Sequence, residues 1–253
     1  MKRMFIAGAV LLVFLLCANS DCSVLELRVK YWLPKIEGDV RVDEGDIIGT
    51  IIDVEEVLGI EADDEKAVPV ELIFNLGSRF RLWFSHYDVT FEGSSFVADE
   101  FVFAGDTFFV SANIESSLHL KASDVGIELD LAPGEMLGLG LSASATLFDG
   151  EASLTDINTS LTASDSLKTV VPAIGGFAKI SLLDDTLEIY GRVLGMSYED
   201  DTYIDFVVEG RFEVFANLSV IGGYRSIRVD VEEDLVFVDA ELSGFFIGGA
   251  LSF

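Results

Sequence analysis

Cysteine is almost missing: Cys17 and Cys22 are the two in 253 residues, which excludes a small scaffold stapled by disulfides. Histidine is equally scarce, with His86 and His119 alone, so few side chains can exchange protons near neutral pH. Basic residues are outnumbered, 16 Lys and Arg against 44 Asp and Glu, a formal charge of −28. Phosphate backbones require a basic footprint, so nucleic acid is not expected as a partner. With four prolines and no Pro-, Ser- or charge-rich stretch, nothing divides the chain into domains. Beyond residue 18 no apolar run approaches the roughly 20 residues that a membrane-spanning helix needs.

What is present begins at the N-terminus. Lys2 and Arg3 precede an apolar run from Met4 to Ala18, and Ala18-Asn19-Ser20 supplies small residues at the exit. This is the pattern of a secretory signal peptide, expected over residues 1–20, with a mature domain over 21–253. Leu16 before Cys17 and Asp21 before Cys22 fit a lipidation site poorly. Removal of Lys2 and Arg3 would leave 14 basic residues against the 44 acidic ones, and Cys22 as the one thiol.

Half of the residues are apolar, which is incompatible with disorder. Their pattern is alternation with period two over long segments. In 203–217, Ile204, Phe206, Val208, Phe212 and Val214 share one face, with Asp205, Glu209, Arg211 and Glu213 on the other. Segments 68–76, 79–90, 136–148 and 187–197 repeat this. Such lengths match transmembrane strands of about 9–11 residues better than ordinary strands of about 5–6. The expected strands are 23–33, 68–76, 79–90, 96–103, 107–115, 136–148, 153–162, 170–182, 187–197, 203–217, 219–231 and 235–253. The fold class is therefore all-β, a closed antiparallel transmembrane β-barrel of about 12 strands, with 8–14 as the range. Between 108 and 131 the apolar phase slips from even to odd positions, which a bulge or an intervening turn would each explain. One short helix is expected at 54–59, with Asp53 as N-cap and Gly59 as stop.

The last residues, Phe246-Ile247-Gly248-Gly249-Ala250-Leu251-Ser252-Phe253, resemble the C-terminal strand of bacterial outer-membrane β-barrel proteins, of which the small channel and scaffold barrels look nearest. Gly248, Leu251 and Phe253 fit that pattern; Phe246 departs from it, since the family commonly has a polar residue there. The resemblance implies residence in the outer membrane of a Gram-negative-type bacterium, contact with its lipids, and insertion by the barrel-assembly machinery, with Gly248, Leu251 and Phe253 as an assembly signal.

Function is less legible. Ser85 and His86 are adjacent in a strand and so face opposite ways, which spoils them as nucleophile and base. His86 shares parity with Phe80, Leu82 and Phe84, and His119 has Lys121 as polar company. No catalytic residue, cofactor or metal site is expected, and no enzyme. The acids of the 34–67 connection (Asp43, Glu44, Asp46, Asp63, Asp64 and Glu65) and of Asp184-Asp185, Asp200-Asp201 and Glu232–Asp234 lack the spacing of a calcium loop; divalent cations bridging them to anionic lipid are a candidate partner. Alternation assigns Glu71, Arg79, Arg81, Glu188, Arg192, Glu209, Arg211, Glu213, Asp239 and Glu241 to the lumen. Mixed signs suit a narrow interior closed by ion pairs; a wider one would leave an acid excess favouring cations. The leading expectation is a passive pore for small solutes or ions, or a closed structural scaffold. A secreted soluble β-sandwich or lipid-carrying barrel, and an outer-membrane lipid-modifying enzyme, are the alternatives.

Overall fold

The structure is a computed structural model that describes residues 24–43, 47–60, 65–97, 100–108, 112–134, 136–183, 186–199, 201–233 and 236–253. The expected signal peptide, Cys17 and Cys22 lie outside the described residues. The strands are β1 (Leu25–Val42), β2 (Ile52–Asp53), β3 (Val70–Leu76), β4 (Phe80–Val97), β5 (Phe101–Phe103), β6 (Asp106–Phe108), β7 (Ala112–Ala132), β8 (Leu137–Asp156), β9 (Leu161–Leu182), β10 (Leu187–Tyr198), β11 (Asp201–Phe215), β12 (Leu218–Glu233) and β13 (Val236–Ser252). Neighbours pair antiparallel in the order β1-β3-β4-β7-β8-β9-β10-β11-β12-β13, and β13 pairs back onto β1 from Glu26–Ser252 to Val42–Val236. The ring is closed, with ten strands. Closure leaves no sheet edge within the part that meets lipid, as spanning a bilayer with strands requires.

One rim carries both termini and the turns β3–β4, β7–β8, β9–β10 and β11–β12; Val24 N–H donates to the Phe253 carbonyl at 2.9 Å there. The opposite rim carries the long connections, including the β5–β6 hairpin, a two-stranded sheet of its own that is tied to the first connection by the Thr50 N–H donating to the Val102 carbonyl at 2.8 Å. The ring of ten lies within the expected range of 8–14, two fewer than the 12 segments assigned. Segment 96–103 divides between the end of β4 and the hairpin, 107–115 between the hairpin and β7, and 153–162 is the end of β8, a turn and the start of β9.

The phase slip in β7 has neither of its expected causes. Even-numbered residues point inward throughout: Ile114, Ser116, Ala122, Asp124, Glu128 and Asp130 are buried, while Val125 and Ile127 are exposed. What inverts is the environment. Near the rim with the termini the outer side is apolar and the inner side polar; towards the other rim the outer side is polar and the inner side apolar. In β1, outward Val29, Tyr31 and Leu33 give way to Lys35 and Glu37, while inward Glu26, Arg28 and Lys30 give way to Trp32 and Ile36. In β4, outward Phe80 and Phe84 give way to His86, Asp88 and Glu92, while inward Tyr87, Val89 and Phe91 are buried. The lower half of the wall is built for hydrocarbon, and the upper half stands in water around its own apolar core.

The expected helix at 54–59 is a single capped turn instead. The Asp53 carboxylate accepts the N–H groups of Glu55 at 2.9 Å and Glu56 at 2.6 Å, and Gly59 takes a positive φ of 64°. One turn is too short to offset helix nucleation. The segment is held instead by burial of Ile52, Val54, Leu58 and Ile60 inside the upper barrel.

Candidate functional site: the barrel interior

The lower interior is lined by charges that the alternation of β1, β3, β4, β7, β9, β10, β11 and β12 turns inward. Arg28 pairs with both Glu26 and Glu209, and Lys30 bridges Glu71 at 2.8 Å and Glu209 at 3.0 Å. Arg225 donates to Asp205 from Nε at 3.0 Å and reaches Asp124 at 3.4 Å. Arg192 lies 3.4 Å from Asp205 and 4.0 Å from Glu128, which also faces Arg81 at 3.3 Å and accepts the Tyr190 hydroxyl. Arg211 meets Glu26 at 2.9 Å, and Lys179 meets Asp130 at 3.0 Å.

These pairs join seven cations (Arg28, Lys30, Arg81, Lys179, Arg192, Arg211, Arg225) to seven carboxylates (Glu26, Glu71, Asp124, Glu128, Asp130, Asp205, Glu209). The paired network is neutral, so the acid excess of the chain lies elsewhere. Burying this many charges is tolerable only because each has a partner: one stripped of its partner costs about 3–5 kcal/mol.

Rings fill what the ion pairs leave. The Arg192 guanidinium lies 4.2 Å from the Trp83 centroid and Lys30 Nζ lies 4.6 Å from that of Phe246. Glycine makes room: a methyl group on Gly140 would sit 2.4 Å from the Phe177 ring. Above the network, Trp32, Tyr87, Tyr203, Phe91, Phe103 and Phe108 are fully buried, and Trp32 and Tyr87 meet edge to face at 5.4 Å. The cavity lined by Arg28, Lys30, Glu71, Asp124, Glu128 and Glu209 amounts to about 50 Å³, room for a few water molecules.

The lumen assignments fall into three groups. Glu71, Arg81, Arg192, Glu209 and Arg211 lie in the network. Glu188 shares the inward parity of Tyr190 and Arg192 near the lower rim; Glu213 is exposed there, and Arg79 is exposed in the β3–β4 turn. Asp239 and Glu241 are corrected: they lie on the outer side, beside buried Leu242, where Arg228 reaches Asp239 at 3.5 Å and Ser226 donates to Glu241 at 2.9 Å. They belong to the upper half, where the polar side is the outside. Missing from the assignments were Glu26, Arg28, Lys30, Asp124, Glu128, Asp130, Lys179, Asp205 and Arg225. The run Glu26-Leu27-Arg28-Val29-Lys30 carried the signal, three charges at alternate positions of an apolar strand.

The histidines face out at the change of environment. His86 Nδ1 is 2.9 Å from Ser123 Oγ, and His119 Nε2 is 2.6 Å from Asp88. Ser85 is buried on the inner side. Asp43 pairs with Arg41 at 3.2 Å and accepts the Gly49 N–H at 2.7 Å; Glu44, Asp46, Asp63, Asp64, Asp184, Asp185, Asp200 and Asp234 lie outside the described residues. At the closing seam, a methyl group on Gly248 would lie 2.3 Å from the Val29 carbonyl, so that glycine has a packing reason of its own. Leu251 and Phe253 point outward, 38% and 63% exposed.

No family model and no curated protein matches the sequence. Among solved structures, the outer membrane protease OmpT from Escherichia coli superposes with a TM-score of 0.58 at 11% identity, covering 93% of this chain and 99% of that one. The fold is that of a bacterial outer-membrane β-barrel. The translocator domain of the autotransporter NalP from Neisseria meningitidis gives 0.47 at 11% identity over 99% of this chain and 98% of that one. The transport unit of the autotransporter AIDA-I from Escherichia coli gives 0.44 at 13% identity over 99% and 95%. One fold can host many unrelated functions, so the barrel alone does not decide whether a chain is an enzyme.

Proposed function

We propose that the chain is a closed outer-membrane scaffold, neither a pore nor an enzyme, that holds its upper strands and loops at the cell surface. The supporting observation is the filled interior: a neutral lattice of ion pairs, aromatic rings packed among it, and an apolar core above. A channel requires a continuous polar path, and here the cavity among the ion pairs amounts to about 50 Å³ and lies beneath an apolar core. The apolar outer wall of the lower half argues against a soluble sandwich or a lipid carrier, whose apolar surface would face inward. Short turns on the rim with the termini and long connections on the other give the orientation usual for such barrels, with the termini periplasmic. Outer-membrane lipids would meet the lower wall, and the barrel-assembly machinery would recognise the last strand. Refolded protein in planar bilayers should give no steady conductance. Regular single-channel steps that vanish on changing Arg225 or Asp205 would establish a pore and overturn the scaffold reading.

A further inference from the structure

The barrel wall is interrupted twice above the lipid. The first gap follows from the shortness of β3, which covers β4 only as far as His86. The chain fills it itself. β2 pairs with β1 through Asp53–Asp39 and Ile52–Val40, and Ala67 bridges to Trp32. The turn at 54–58 lies against β4, where Ser95 donates to the Val57 carbonyl and a methyl group on Gly93 would sit 2.4 Å from the Leu58 carbonyl. Ile52 and Val54, alternate residues of this segment, are buried.

Among the described residues the second gap has no such filling. β9 pairs with β8 from Leu161 at the upper rim down to Ile180, but with β10 only from Leu182 to Ile174. β10 continues to Tyr198 against β11 alone. Residues 161–173 are therefore a free strand edge, standing above the lipid down to Lys168, a row of backbone donors and acceptors with no strand beside it among the described residues. Residues 164–168 are exposed on both faces of the strand. On the inner face, Leu167 is 41% exposed, and Phe148, Val171 and Met196 are only partly buried against the core. An exposed edge is a template for another strand, and alternate side chains of that strand would reach this half-covered apolar lining.

We propose that the upper edge of β9, residues 161–173, is a strand-addition site for an extended segment of a partner protein, with apolar residues at every second position. The first gap shows the kind of segment that fits: extended, alternately buried, and bonded through its backbone. A second copy of this chain fits poorly. Two barrels in one membrane are related by an axis along the membrane normal, which sets their β9 edges parallel, the less stable pairing, and Lys168 at that edge is already occupied by Asp149 at 2.8 Å. Addition of a strand gives affinity through main-chain hydrogen bonds and selectivity through alternate side chains.

The site is independent of the closed lumen, so conductance tests the one and peptide binding the other. The probe is a blocked synthetic peptide of about nine residues, alternating Val with Thr or Lys, added to the full barrel in detergent micelles and read by amide hydrogen exchange. At roughly ten times its Kd it should slow exchange in 161–173 about tenfold and leave β12 and β13 unchanged. Two isomers N-methylated at opposite alternate residues separate strand pairing from apolar adsorption: one should lose the protection and the other keep it. Leu167→Asp, at a half-exposed position, should weaken binding without altering the barrel's heat-modifiable mobility. Equal protection by both methylated isomers, or none with any peptide, overturns the proposal. So does protection of 161–173 by lipopolysaccharide but not by peptide, which would make the gap a lipid site.

Discussion

Gly126 lies directly under the indole of Trp83: a methyl group on it would come within 2.3 Å of Cε2 and Cζ2 of the ring. The two are cross-strand partners in β7 and β4, and Trp83 in turn carries the Arg192 guanidinium at 4.2 Å. A side chain at 126 would push the indole into the ion-pair lattice. Gly126→Val should therefore destabilise the barrel by about 1–3 kcal/mol, the usual range for overpacking. Gly191→Val is the control, since the nearest atom to an added methyl there is 3.9 Å away. Urea unfolding in lipid vesicles should separate the two; equal midpoints would mean that the interior is loosely filled.

Val208 stands at the middle of β11 and faces lipid, whereas Phe212 is nearer the lower rim on the same side. An arginine at the bilayer midplane costs about 2–4 kcal/mol and much less near the interface. Val208→Arg should impair folding into bilayers more than Phe212→Arg. Arg211→Gln, which removes the 2.9 Å contact with Glu26 but leaves that carboxylate paired with Arg28, should fold in good yield. A reversed order of the two arginine variants would displace the assigned lipid belt along the strand.

The turn joining β8 to β9, above the lipid, contains an acid-sensitive element. The Asp156 carboxylate accepts the Thr159 hydroxyl at 2.7 Å and the Asn158 N–H at 2.8 Å. The Thr159 bond, with the backbone N–H bonds, holds its pKa below the ordinary aspartate value. A depressed folded pKa means that this contribution is complete above the unfolded value of about 3.9 and is lost as pH falls through the folded value. A carboxyl carbon NMR titration should give Asp156 a midpoint below that of an exposed aspartate. Thr159→Ala should move the midpoint upward, and an unchanged titration would remove the hydroxyl from the account.

Phe253 contributes little by burial, since its side chain is 63% exposed, while full burial of an apolar side chain is worth about 1.5–3 kcal/mol. Its main chain does more: Phe253 N–H donates to the Leu25 carbonyl at 2.8 Å, closing the seam. Deleting the residue should lower the heat-modifiable species in outer-membrane fractions of cells, while purified denatured protein should still refold in detergent. Unchanged outer-membrane levels would leave the C-terminal strand without a role as an assembly signal.

The alternation of β11 was readable because Val208 and Phe212 meet lipid while Glu209 and Arg211 meet ion partners, so both faces announce themselves. The strand number was not. Ile114, Leu118 and Leu120 are inward in β7 and Val125 and Ile127 are outward in the same unbroken strand, and a pattern read against one solvent has to interpret that as a break. Asp239 and Glu241 were misplaced for the same reason, since an acid belongs inside where the wall meets lipid and outside where it meets water. Trp32, Trp83, Tyr87 and Tyr203 are core. Where the lipid ends is a property of the assembled ring, which no local window contains.

The two-solvent wall constrains how the molecule reaches its place. Asp88, Glu92, Asp149 and Lys168 ride on the outer surface of the upper half, and each would cost about 2.5–3.5 kcal/mol at the centre of hydrocarbon. A finished cylinder entering from the periplasm would have to drag that charged collar through the bilayer. The expected order is that the upper half crosses before the β1–β13 seam shuts. Crossing and closing then become separate events, and a bond that locks Val29 to Gly249 too early should strand the chain on the periplasmic side.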